Sequence, residues 1–316
     1  MKKKNVIHTI GIVVSILFIY LVFRGANLSD VLHYISKLNI SLLILVSTMS
    51  LILIVVKTYR WKLLLDKSDK ISYKKLLPIN FIAHFLNIVF PLRAGEVAQI
   101  FLTKSYTKTS KSNIVGSLFL NKFMELISLL IIFYSLMVFV SIPVPSFWIN
   151  PLRYLLVFTI IFLLLFAFNI VDVRKIKEPS NKVLASLYRF LLSLKHIQDK
   201  MLLIKSILLS VLVWGIELAM IYILLFAFGI IIPFWATIVI VVGINLAMLI
   251  PATSASFGTY EYAIILVLGI FSVSKEHAVA FAIMLHFLEI ISVLIVGFIF
   301  YIRIKKERPL WEKEIK

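Results

Sequence analysis

The sequence predicts an all-α polytopic membrane protein with six full spans and two re-entrant helical hairpins, arranged as an inverted-topology repeat. Three observations predict it. The hydrophobic fraction is 61%, against roughly 45–50% in soluble domains, and mean hydropathy is +1.04. Apolar runs of spanning length, about 20 residues, recur along the whole chain. Two polar tips, Pro91-Leu92-Arg93-Ala94-Gly95-Glu96 and Pro251 to Glu261, interrupt apolar runs too short to cross a bilayer. Irregular backbone at membrane depth is tolerated only where protein covers it or it lines a wet cavity.

Taken in order, residues 6–23 form the first span, preceded by Lys2-Lys3-Lys4. That start resembles a signal peptide, but no small-residue cleavage site follows and Arg24 comes directly after, so an uncleaved helix is expected. Residues 28–38 read as a short amphipathic linker and 40–56 as the second span. The loop after it carries Lys57, Arg60, Lys62, Lys67, Lys70, Lys74 and Lys75 against Asp66 and Asp69, a bias that marks a cytoplasmic loop. Tyr59 and Trp61 beside those cations read as interface anchors. The first hairpin, 76–102, precedes a loop with Lys104, Lys108 and Lys111. Residues 113–140 form a long span, and 141–150 hold two prolines and no charge.

The second half opens with a span at 152–171. The next segment carries Arg174, Lys175, Lys177, Lys182, Arg189, Lys195 and Lys200, and 180–194 reads as an amphipathic surface helix. A span at 202–228 contains Glu217. The second hairpin, 234–271, surrounds the second tip. The last span is 278–301, and the tail with Arg303, Lys305, Lys306 and Arg308 is basic. If both hairpins re-enter, every strongly basic loop falls in the cytoplasm, together with both termini. The formal charge of +18 is thereby placed in loops and implies no nucleic-acid partner. There is no cysteine, so disulfides and thiolate metal sites are excluded.

Phe123-Met124-Glu125-Leu126-Ile127-Ser128-Leu129-Leu130-Ile131 matches Phe287-Leu288-Glu289-Ile290-Ile291-Ser292-Val293-Leu294-Ile295. Each copy follows a polar tip, so the membrane domain divides into a first repeat, 1–150, and a second, 151–316, entering with opposite orientation. Secondary transporters share this plan, with sites near the midplane at broken helices.

Five acids fall in apolar stretches: Glu96, Glu125, Glu217, Glu261 and Glu289. Arg93 and Lys122 are the bases, with His84 and His286 titratable. Each charge facing lipid costs about 2.5–3.5 kcal/mol. Seven would cost roughly 20 kcal/mol, above the roughly 5–15 kcal/mol net stability of a domain. They must face one another, face a wet cavity or be neutral. Lys122/Glu125 and His286/Glu289 are spaced i,i+3 and share helix faces, either lining a path or binding helices together. Arg93 beside the half-helix starting near Gly95 suits an anion, through the dipole, free N–H groups and a planar fork. The alternative is an internal Arg93–Glu96 or Arg93–Glu261 bridge. Thr253, Ser254, Ser256 and Thr259 either offer donors or satisfy broken backbone. Asn80, Asn87 and Asn245 line the same cavity or cross-link helices. No Walker-type loop, tight His metal spacing or nucleophile stands out, and no cofactor or metal is expected.

Pro91-x-Arg93-x-Gly95-Glu96, with Pro251, Gly258 and Glu261, resembles the lysylphosphatidylglycerol synthase transmembrane region, the flippase-like membrane domain of the multiple peptide resistance factor. The family often has Arg where Gln99 stands, and Pro-Gly-Gly where Ser254-Ala255-Ser256 stands. The resemblance implies a cell-membrane protein that translocates a phospholipid, including an aminoacylated one, between leaflets. Arg93, Gly95, Glu96, Lys122, Glu125, Glu217, Gly258, Glu261, His286 and Glu289 are then the candidate substrate and path residues. Relatives with two domains add a soluble lysyltransferase. This chain ends at Lys316, so it is expected to lack that enzyme. The other readings are a component or enzyme of lipid or lipid-linked sugar modification, and a scaffold whose buried charges hold helices together. Partners left open are a second copy of the chain and a separate lipid-modifying enzyme.

Overall fold

The computed structural model describes residues 2–65, 71–90, 93–141, 146–167, 179–194, 198–250 and 254–307. Pro91, Leu92, Pro251 and Thr253 of the two tips lie outside these residues. So do the loop charges Asp66, Lys67, Asp69 and Lys70, the basic residues Arg174, Lys175, Lys177 and Lys195, and Arg308.

Among the described residues the chain is all-helical, with α1 Lys2–Phe23, α2 Leu28–Ser36, α3 Ile40–Leu65, α4 Tyr73–Val89, α5 Ala94–Tyr106 and α6 Lys111–Phe139, followed by α7 Ser146–Ala167, α8 Lys182–Ser193, α9 Lys200–Ala227, α10 Ala236–Ala247, α11 Thr259–Ile270 and α12 Lys275–Glu307. Helices α3, α6, α9 and α12 are long and apolar enough to cross a membrane. Helix α1 joins α2 through an 81° bend, and the pair makes a fifth candidate. Gly25, at φ 73°, supplies the left-handed residue of that bend. Asn27 then caps α2, its side chain accepting from the Ser29 N–H at 3.0 Å. Many large apolar side chains on the spanning helices point outward, among them Ile44, Ile52, Phe226 and Ile299, as a hydrocarbon solvent favours.

The four helices flanking the polar tips are shorter. They have 17, 13, 12 and 12 residues in α4, α5, α10 and α11. At 1.5 Å per residue each is roughly 18–25 Å long, less than the roughly 30 Å hydrocarbon core.

The chain forms two compact units. The first comprises 1–53, 81–97 and 215–303, and the second 54–80, 98–214 and 304–316, so each draws on both halves of the sequence. In the first unit α10 packs against α11, and α11 against α1. Helix α10 is apolar on every side and almost wholly buried within the protein. In the second unit α6 packs against α7 and α8. Leu64, Leu120, Phe123, Met124, Leu194 and Leu202 form one core cluster there, and Trp61, Leu65, Ile71, Leu76 and Ile114 another.

One expectation is corrected in the second unit. Arg60 and Trp61 do not lie in a loop. Helix α3 continues to Leu65, with no Gly or Pro to stop it, and buries Arg60 and Trp61 almost completely. Trp61 is no interface anchor. Its indole N–H donates to Ser117 Oγ at 3.1 Å.

Candidate functional site: two polar tips and two buried acid centres

In the first unit, α5 begins immediately after Arg93. This residue adopts a left-handed conformation, φ 54°, which a side chain bearing a Cβ takes at a cost. Gly95 follows because the start of α5 presses against α4. A Cβ added there would overlap the Ala83 carbonyl. Asn87 of α4 accepts from the Gly95 N–H at 2.8 Å, and the Glu96 N–H bonds to the Arg93 carbonyl at 3.0 Å. The first turn is therefore partly satisfied from within, rather than presenting the row of free N–H groups the sequence suggested. Arg93 and Glu96 face each other loosely, 3.6 Å apart, with side chains 59% and 34% exposed.

The second tip is more strained. Ala255 and Ser256 have φ 56° and 58°, and Gly258 has φ 88°. A Cβ on Gly258 would stand about 3 Å from Ile19 N, Phe18 Cβ and Ser15 O of α1, so glycine is needed for both conformation and space. Thr259 Oγ1 donates to the Ser256 carbonyl at 2.9 Å, which assigns that hydroxyl to the broken backbone.

Glu261, one turn into α11, is the hub. Its Oε2 accepts from the Gly258 N–H at 2.7 Å, closing the helix start on itself. Its Oε1 lies 2.6 Å from His286 Nδ1 on α12, with both residues buried. The His286 ring stacks on Tyr260, centroids 4.1 Å apart, and the Tyr260 hydroxyl donates to Glu289 Oε2 at 3.0 Å. Glu217 of α9 also acts electrostatically on Tyr260. Adjacent residues of α11 thus reach two residues of α12 one turn apart. The partner of His286 seen here is Glu261, across helices, where the sequence suggested Glu289 on the same helix. Tyr260 had not been singled out. The Tyr260-Glu261 pair at a helix start, facing a His and a Glu spaced i,i+3, was the available signal.

In the second unit, Glu125 of α6 meets Arg60 of α3. Arg60 also donates from Nε to Asn121 Oδ1 at 2.8 Å and from Nη1 to Ser210 Oγ of α9 at 2.7 Å. Its side chain is 0% exposed. The Trp214 indole donates to the Glu125 backbone carbonyl at 3.0 Å. Arg60 is the direct partner of Glu125, and Lys122, one turn earlier on α6, is exposed. Nearby, Gln99 donates to Asn80 at 3.1 Å and Asn80 to Thr58 at 2.7 Å, a neutral buried chain. Asn80 therefore cross-links helices, while Asn245 bonds back to Val241 of its own helix.

Of the ten candidate residues, Arg93, Gly95, Glu96, Glu217, Gly258, Glu261, His286 and Glu289 belong to the first unit, and Lys122 and Glu125 to the second. No group of three or more His, Asp or Glu able to hold a metal occurs among the described residues.

Comparison with known proteins places the chain among membrane proteins. A UPF0104 membrane protein of Methanocaldococcus jannaschii is 26% identical over 221 residues, covering 69% of this chain and 94% of that relative. The profile of the lysylphosphatidylglycerol synthase transmembrane region matches residues 9–297. A match over nearly the whole chain means that this protein belongs to the lysylphosphatidylglycerol synthase transmembrane-region family.

Proposed function

We propose that this membrane protein moves a phospholipid between leaflets, with the lipid phosphate meeting Arg93 at the start of α5. The observation that carries the reading is Arg93 itself. Its charged side chain is 59% exposed on a left-handed residue between two helices too short to span. An arginine held open at such a place is costly unless it serves a ligand. The dipole of α5 adds to the attraction for an anion. The family description names lysylphosphatidylglycerol, whose headgroup carries amines. Glu96, Glu217, Glu261 and Glu289 would suit such a cationic headgroup. For Lys122 and Glu125 the helix-binding alternative is favoured, because Arg60 occupies Glu125 directly.

In the same reading α1, α3, α6, α7, α9 and α12 are full spans, and α4–α5 and α10–α11 are re-entrant hairpins. The short lengths of those four helices support the hairpins. The repeated nonapeptide supports the inverted repeat: Glu125 and Glu289 are both half-buried, and Ser128 and Ser292 each bond back to the carbonyl four residues earlier. Positive-inside bias puts both termini in the cytoplasm.

Leaflet-resolved movement of labelled phosphatidylglycerol in proteoliposomes tests the reading. Wild type should move the lipid, and Arg93→Ala should lose movement with unchanged melting. A well-folded wild type that moves neither anionic nor aminoacylated phospholipids would refute it.

A further inference from the structure

A cavity of about 330 Å³ lies in the first unit where the end of α1, the flank of α11 and the start of α12 meet. Its volume is at the lower end of ligand pockets, roughly 300–1,000 Å³. Leu21, Ile265, Leu266 and Val273 give it an apolar wall, and its two charged residues, Arg24 and Lys275, are both cations. No acid lines it. Lys275 Nζ donates to the carbonyls of Arg24 and Leu21, at the negative end of the α1 dipole. That contact fixes the ammonium beside Arg24, whose own side chain is exposed. Both cations sit at helix ends, where the spans of a membrane protein meet headgroups, and the apolar wall leads away along α11.

We propose that this cavity binds an anionic phospholipid, with its phosphate on Arg24 and Lys275 and part of one acyl chain against α11. Guanidinium and ammonium together match a phosphodiester, and basic pockets between membrane helices hold anionic headgroups. The absence of acid from the lining disfavours a zwitterionic or aminoacylated headgroup, so the site differs in charge from the acid-rich second tip. It is a resident-lipid site at the 81° corner between α1 and α2. It stands whether or not the tips transport lipid, because binding is read rather than movement.

Gly269 offers a clean steric probe. It lies on the cavity wall, and a Cβ there meets nothing within 4 Å. Native mass spectrometry of the purified chain, with dioleoyl phosphatidylglycerol, dioleoyl phosphatidylcholine, oleate and inorganic phosphate as separate probes, reads the site. Wild type should retain phosphatidylglycerol over phosphatidylcholine by about tenfold, the ratio that 1.4 kcal/mol supplies. Arg24→Gln should lower that preference several-fold, and Gly269→Leu should lower retention of both lipids. Lys275 is left intact because it ties α12 to α1. A photoreactive phosphatidylglycerol should label the peptide spanning 262–278 in wild type, which keeps the test open if a variant folds poorly. Equal retention of the two lipids by wild type, or labelling only elsewhere, would overturn the proposal. So would phosphatidylglycerol retention unchanged in both variants, or oleate or phosphate binding as well as the phospholipid.

Discussion

Glu125 and Glu289 hold the same place in the repeated nonapeptide, but their surroundings differ. In the second unit Glu125 meets a fully buried guanidinium whose other donors go to Asn121 and Ser210. In the first unit Glu289 accepts a hydrogen bond from the Tyr260 hydroxyl, and the neighbouring Glu261 lies 2.6 Å from His286 Nδ1. An arginine never gives up its proton in a protein, so the Arg60 centre keeps one charge state and one geometry. The Glu261–His286 centre pairs a carboxylate with an imidazole, and it sits under a strained backbone. The difference separates a clamp built on a permanent cation from a pair that holds none. An ion pair built on a fully buried guanidinium fixes how three helices meet, whereas Glu261 and His286 tie only α11 to α12.

The largest expected effect breaks the clamp. Arg60→Ala leaves Glu125 without its partner and should destabilise the protein by about 3–5 kcal/mol, measured by unfolding in mild denaturing detergent. Replacing both, Arg60→Met with Glu125→Leu, should recover most of that loss. A double variant as unstable as the single one would mean that the pair does more than hold helices.

Next come the glycines of the tips. Gly258→Ala forces a Cβ against α1 at positive φ and should cost about 1–3 kcal/mol, visible as a lower melting temperature. Gly95→Ala meets the Ala83 carbonyl and should cost at least as much. Tyr260→Phe removes one hydrogen bond to Glu289 and should cost about 0.5–1.5 kcal/mol. The smallest effect on stability is expected at Arg93. Its contact with Glu96 is exposed and long, so Arg93→Ala should change stability by less than about 1 kcal/mol. A large loss there would favour the scaffold reading over a lipid site.

The spans were legible because apolar length needs no partner to be read. Residues 113–140, 202–228 and 278–301 appear as α6, α9 and α12, and the helix at 180–194 appears as α8. The short helices flanking the tips were legible for the same reason, since both tips interrupt apolar runs. Arg60 was not. Counting cations assigned it to a loop, and the signal against this was Leu63-Leu64-Leu65, which continues the helix and its buried face. The Glu261–His286 contact was also missed. Its residues are 25 apart, and only tertiary packing decides between a partner across helices and one on the same face. The cation-lined cavity depends on packing the end of α1 against α11 and α12, at the far end of the chain, so no local pattern announced it.

The contrast between the two centres is tested most directly by measuring melting and leaflet-resolved lipid movement side by side in Glu125→Gln and Glu261→Gln. Glu125→Gln should melt well below wild type, with movement falling only as the folded fraction falls. Glu261→Gln should melt close to wild type and lose movement. Normal movement by a well-folded Glu261→Gln protein, or lost movement by a well-folded Glu125→Gln protein, would contradict it.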